Sequence, residues 1–186
     1  MKRLLILLTM LCALGGWAVP TAAAQEAEAP ATEVKKKKVS MAGLSPVARA
    51  LAEAGYFTES EARPKARFYI FICSASWCAP CRALMPKVVE EYEANIKKNK
   101  SVSLVLLGYD QDAASALRYI EHYETDMPGV LGSAVQLENR PEMKGIPWCF
   151  ILNAKGELIH SGFGQTLLQW KDLIKNKPQR SGKNRR

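Results

Sequence analysis

The sequence predicts an α/β fold, a central mixed β-sheet flanked by helices on both faces. Three observations predict it. Short continuous apolar runs at Phe68–Cys73, Ser101–Tyr109 and Trp148–Leu152 have the length and the branched or aromatic content of strands buried on both sides. Segments with helical apolar spacing, one after Cys78 and one from Ala113 to Tyr123, alternate with those runs. The turn sequence Asn153-Ala154-Lys155-Gly156 then folds Glu157–Ser161 back on the third run as a hairpin.

Ordered sequence begins at Ser45-Pro46, a capping residue followed by proline at the first helical position, and the helix runs through Val47, Ala50, Leu51 and Ala54 to Gly55. After Cys78 the apolar residues Leu84, Met85, Val88, Val89, Tyr92 and Ile96 share one side of a helix. Glu90, Glu91, Glu93 and Lys97 form its wet side. Pro86 is expected to interrupt and kink this helix. Thr166–Asn176 reads as a closing helix. At 186 residues there is room for one domain with tails, and no internal repeat is present.

Both ends read as extensions. Lys2 and Arg3, the apolar run Leu4–Leu14 and the small residues Ala22-Ala23-Ala24 predict a signal peptide over residues 1–24. That run is short for a membrane span, so an uncleaved anchor is the lesser reading. Cys12 follows Leu11, where a lipoprotein signal would want a small residue. Residues 25–44 are a linker with no apolar period, the domain occupies 45–176, and 177–186 form a basic tail. Export, most simply to a periplasm, places Cys73, Cys78, Cys81 and Cys149 outside the reducing cytosol. The formal charge is +8. From Val39 to Trp170, however, there are 13 Lys/Arg against 14 Asp/Glu, so the excess is confined to Lys35–Lys38 and Lys171–Arg186. The basic charge therefore does not point to nucleic acid, and the domain is expected to be a monomer.

Cys78-Ala79-Pro80-Cys81 falls where a buried strand hands over to a helix. Two cysteines three apart on a first helical turn can close a disulfide, and the helix N-terminus favours a thiolate there. Cys78, nearer the tip, is expected to attack, and Cys81, one turn deeper, to resolve the mixed disulfide. Pro80 stiffens the link, and Trp77 is expected to shield one flank. The competing zinc reading of Cys-x-x-Cys needs two more soft ligands, and His122 and His160 stand alone in the sequence, so no metal is expected. Gly145-Ile146-Pro147 precedes a buried strand, a position that suits a cis or an edge proline.

The run Ser74-Ala75-Ser76-Trp77-Cys78-Ala79-Pro80-Cys81-Arg82, Pro86 five residues after the second cysteine, and Ile146-Pro147 before a strand together resemble the thioredoxin superfamily, over roughly Phe68–Lys175. Tyr109-Asp110 and Asp126-Met127-Pro128 are similar to its tryparedoxin and nucleoredoxin branch, with exported TlpA-like reductases close by. The resemblance implies a thioredoxin-like fold and disulfide exchange at Cys78 and Cys81. It implies Pro147 as a cis-proline facing the disulfide and the Ile146 backbone pairing with an extended substrate. Ala79, Pro80 and Pro86 would be structural at the site. No external cofactor is implied beyond the redox-active disulfide. The partners would be protein thiols and disulfides together with a membrane-bound electron donor.

Two positions depart from the thioredoxin pattern: Ile72 and Leu106 stand where a buried Asp and a Lys are found. Without that carboxylate, Cys81 is expected to resolve slowly. Cys73 and Cys149 lie on neighbouring strands and read either as a second disulfide or, preferably, as inert buried thiols. Trp148, Phe163 and Trp170 read as core or site rim, and His160 as a surface residue. The leading function is an exported protein-disulfide reductase. A disulfide-forming oxidase, and a redox-inactive binding or chaperone module with the same fold, remain alternatives. A thiol peroxidase is disfavoured because Ala75 stands where Thr would polarise peroxide.

Overall fold

A computed structural model describes residues 41–175. The expected signal peptide, most of the linker and the basic tail lie outside the described residues. Among the described residues no helix is long and apolar enough to cross a membrane.

Helix α1 (Pro46–Ala54) starts as the sequence predicts: the Ser45 hydroxyl accepts the Ala48 amide, and Gly55 ends the helix at φ 78°, a left-handed conformation that glycine adopts freely. Strand β1 (Phe68–Ser74) leads to α2 (Ala79–Glu91), which passes through a π-helical segment at Tyr92–Ile96 before β2 (Val102–Gly108). Then follow α3 (Ala113–Glu121), β3 (Gly129–Leu131), β4 (Trp148–Asn153) and β5 (Leu158–Phe163). A 3-10 turn at Gly164–Gln169 leads into α4 (Trp170–Leu173).

The five strands are ordered β3-β2-β1-β4-β5. β1 pairs parallel with β2 and antiparallel with β4, and β4 and β5 form the hairpin. The sheet is therefore mixed, as predicted. The alternating side chains of β1 divide the core in two. Ile70 and Ile72 face α2 and α3, packing with Met85, Val88, Ala116 and Ile120. Tyr69, Phe71 and Cys73 face the layer under α1, with Val47 and Leu51. Phe71 stacks on Phe150 of β4 with ring centroids 4.6 Å apart, which ties the two central strands on that face.

Three elements differ from expectation. Strand β3 was not foreseen; it is three residues long and exists through its parallel pairing with the end of β2. The closing α-helix covers only Trp170–Leu173, because a 3-10 turn occupies the preceding residues. Pro86 does not interrupt α2. It lies on the exposed face, and the carbonyl of Arg82, which a residue-86 amide would have filled, accepts instead from the Tyr123 hydroxyl at 3.3 Å. Glu91 is not merely wet either: its Oε1 accepts the indole N–H of buried Trp170 at 2.7 Å and so fastens α4 to α2.

Candidate active site

Cys78 is the N-cap residue of α2. Its backbone is extended and its Sγ accepts the Cys81 amide at 3.3 Å, so a sulfur occupies the place usually taken by a Ser or Asp oxygen. An otherwise orphaned N–H and the positive end of the helix thus converge on one sulfur, an arrangement that favours a thiolate over a thiol. In this structure Cys78 and Cys81 are joined as a disulfide, with their Cα atoms 5.2 Å apart. Cys78 is 5% exposed and Cys81 1%, so such access as exists is to Cys78. Pro80 sits in the first turn of α2, where its missing N–H has no helical partner to lose.

The peptide bond Ile146–Pro147 is cis. The Ile146 carbonyl oxygen lies 3.7 Å from Cys78 Sγ. Among the described residues neither the N–H nor the C=O of Ile146 has a backbone partner. An apolar groove of about 610 Å³ runs beside the disulfide between Trp77, Pro80, Tyr109, Met143 and Ile146. Trp77 is 63% exposed and its indole N–H donates to the Tyr109 carbonyl at 3.2 Å, so it stands as a wall of the groove instead of lying over the sulfurs. Pro147 is half-buried and packs against Gly164, not into the groove.

Sequence reasoning brought Trp77, Cys78, Cys81, Ile146 and Pro147 to one place. It did not assign roles to Tyr109, Asp110, Met143 or Gly164. The usable signal for the first two was their position immediately after β2, because ligands of open α/β sheets gather at the carboxyl ends of parallel strands. Asp110 Oδ1 accepts both the amide and the hydroxyl of Ser76, two residues before Cys78. Phe163 is exposed and meets buried Trp148 edge-on with centroids 5.3 Å apart, and His160 is half-buried with burial holding its pKa down. Among the described residues no cluster of three or more His, Cys, Asp or Glu could hold a metal.

Ile72 and Leu106 pair directly across β1 and β2, both fully buried, so neither strand position carries an ionisable group. Cys73 faces Trp148 and Cys149 faces Ile72 in the β1–β4 register, which sends the two thiols to opposite faces of the sheet. Both are free and fully buried. Burial pushes the Cys73 thiol from 9.0 up to about 12 against the opposing pull of Arg140 and Tyr109, and pushes Cys149 up as well. The folded state therefore holds these protons more tightly than the unfolded state. Their contribution to stability is full below about pH 9 and is lost as pH rises toward about 12. Iodoacetamide at pH 8 is expected to leave both thiols unmodified in the folded chain and to label both in guanidinium. Labelling at equal rates in the two states, read by mass spectrometry, would contradict their burial.

A family model described as thioredoxin-like matches residues 67–158. The chain is 38% identical over 91 residues to probable nucleoredoxin 1 of Arabidopsis thaliana, covering 46% of this chain and 15% of that protein. It is 29% identical over 100 residues to sporulation thiol-disulfide oxidoreductase A of Bacillus subtilis, covering 51% of this chain and 61% of that protein. The chain thus spans less than two thirds of the length of either curated relative. A crystal structure of StoA from Bacillus subtilis superposes with a TM-score of 0.48 at 27% identity, over 57% of this chain and 84% of that one. With the family model spanning β1 to the start of β5, a Cys-x-x-Cys pair at the β1–α2 junction and a cis-proline before β4, the chain belongs to the thioredoxin superfamily.

Proposed function

We propose that the chain is a thiol–disulfide oxidoreductase acting on exported protein disulfides through Cys78 and Cys81, and that it works as a reductase. The observation that carries this reading is the Cys78 sulfur itself, capping α2 beside an apolar groove and an uncommitted Ile146 peptide. In the reduced protein the Cys78 thiolate attacks one sulfur of a substrate disulfide. A mixed disulfide forms and the other substrate sulfur leaves as a thiolate, which takes a proton from solvent. Cys81 then loses its proton and attacks Cys78 Sγ. The second substrate thiol is released, and the Cys78–Cys81 disulfide seen here is the product. Two electrons have passed to the substrate. A dithiol donor, membrane-bound by our reading, returns them by the same exchange, so no external cofactor takes part.

Trp77 and Ile146 would bound the substrate, the latter through its main chain, which suits broad protein specificity. Pro147 would hold Ile146 at its distance from the disulfide, and Ala79, Pro80 and Pro86 would shape α2. The near-neutral body argues against nucleic acid, and the domain, residues 45–176, would act as a monomer after export directed by residues 1–24. The Ala-Pro dipeptide between the cysteines resembles the Gly-Pro of reducing thioredoxins. The purified chain is expected to accelerate insulin-disulfide reduction by dithiothreitol and to poise its own pair near about −270 mV. A potential near about −120 mV would make it an oxidant, and absence of catalysis would remove the enzymatic reading.

A further inference from the structure

The turn between β1 and α2 is only Ala75-Ser76-Trp77, yet it must aim the Cys78 sulfur. Its middle residue is gripped at both ends of its backbone by oppositely charged side chains. The Ser76 N–H donates to Asp110 Oδ1 at 3.0 Å, and the Ser76 hydroxyl donates to the same oxygen at 2.5 Å. The Ser76 carbonyl accepts from Arg82 Nη1 at 2.7 Å. Hydrogen bonds to ionised groups are shorter and about twice as strong as neutral ones, so this residue is held more firmly than an ordinary loop position. Each anchor is rooted in or just beyond a regular element. Arg82 stands on the first turn of α2, immediately after Cys81. Asp110 stands two residues beyond the end of β2, and the intervening Tyr109 amide donates to the Ser74 carbonyl at 2.9 Å. The Tyr109 carbonyl in turn receives the Trp77 indole N–H.

Asp110 Oδ2 is buried, and among the described residues no side chain or backbone group pairs with it. All the protein hydrogen bonds of this carboxylate therefore go to Ser76. A surface aspartate serving only solubility would have both oxygens in water; here one is spent on a single loop residue two positions from the attacking sulfur. The sheet transmits the constraint: β2 is parallel to β1 and paired along its whole length, so Asp110 reports the position of the strand end to the loop that follows β1.

We propose that Asp110 is a positioning residue, whose carboxylate, through Ser76 and against Arg82, fixes the turn that sets the attack direction of Cys78. This rests on the assignment of Cys78 as nucleophile. Asp110 makes no hydrogen bond to either sulfur, so it acts on Cys78 through Ser76. Its role is to keep the reacting sulfur within the narrow range of geometry that in-line attack on a disulfide requires.

The test is steady-state insulin reduction with three substitutions. Asp110→Ala removes the acceptor and is expected to lower kcat about tenfold with KM changed less than about twofold, because attack geometry and not substrate affinity is lost. Asp110→Asn keeps an oxygen acceptor and is expected to recover most of the loss, to within about threefold of the parent chain. Ser76→Ala keeps the amide donor and removes the hydroxyl, and a fall in kcat between those two values is expected. Should Asp110→Ala fail to fold, the Ser76→Ala and Asp110→Asn pair decides the matter. Parent-like kcat in Asp110→Ala, or in Ser76→Ala where Asp110→Ala does not fold, overturns the proposal. So does Asp110→Asn as slow as Asp110→Ala, or a loss confined to KM. Cys78→Ala run alongside separates the two readings: if it retains full activity the oxidoreductase assignment fails, whereas its inactivity beside a parent-like Asp110→Ala sinks only the positioning role.

Discussion

Cys81→Ser is expected to accumulate a stable mixed disulfide between Cys78 and a substrate protein, while Cys78→Ala forms none and loses insulin reduction completely. The asymmetry follows from the helix start. Cys78 Sγ is the group that receives the Cys81 amide at 3.3 Å, so the favourable field of the helix N-terminus acts on it. Cys81 lies a turn deeper with 1% exposure and gains nothing comparable. Removing Cys81 leaves attack intact and abolishes only release. The parent chain should also show slow release. Ile72 and Leu106 are apolar, so Cys81 has no buried base on these two strands to take its proton. Non-reducing electrophoresis with mass spectrometry identifies the trapped species, and stopped-flow measurement of the parent chain gives the release rate. Release as fast as in a relative that carries the strand carboxylate would show that another proton acceptor operates.

The parts of this molecule that were legible in the sequence are those whose signal is local. Phe68–Cys73 is a run of six residues whose every member is apolar, and no other element could bury it on both sides. Ser45-Pro46 caps its own helix, and Cys78-Ala79-Pro80-Cys81 carries its chemistry within one turn. Strand β3 was hidden because Gly129-Val130-Leu131 has no period to read. It is strand only because β2 offers it an edge and because the Phe57 amide and the Thr58 hydroxyl bind Gly129 from the other side. The closing helix was overextended for a similar reason. Its course is decided by the bond from Trp170 to Glu91, 79 residues away, and not by its own apolar spacing. The Ser76–Asp110 clasp spans 34 residues and joins two polar side chains, a pairing that periodicity cannot register.

Gly164→Ala is expected to cost both stability and turnover, and it tests whether the cis-proline loop is held in place from behind. A Cβ at Gly164 would stand 2.7 Å from Pro147 Cβ, 2.8 Å from Leu84 Cδ2 and 3.2 Å from the Pro147 backbone carbon. The Leu84 methyl can swing away, but the proline ring and its backbone cannot. Gly164 cannot retreat either, because its N–H donates to the Pro147 carbonyl at 3.0 Å. Inserting a methyl into so close a contact typically destabilises by about 1–3 kcal/mol, which a thermal melt would read as a drop of several degrees. Relief comes most directly by moving Pro147, and Pro147 carries with it Ile146, whose carbonyl lies 3.7 Å from Cys78 Sγ. The same substitution should therefore lower kcat/KM for protein disulfides well beyond the effect on small disulfides such as dithionitrobenzoate, which need the sulfur but not the Ile146 main chain. An equal loss with both substrates would place the damage at the cysteines themselves. A Gly164→Ala chain as stable and as active as its parent would show that this loop yields, and that its position is not what the tight contact at Gly164 secures.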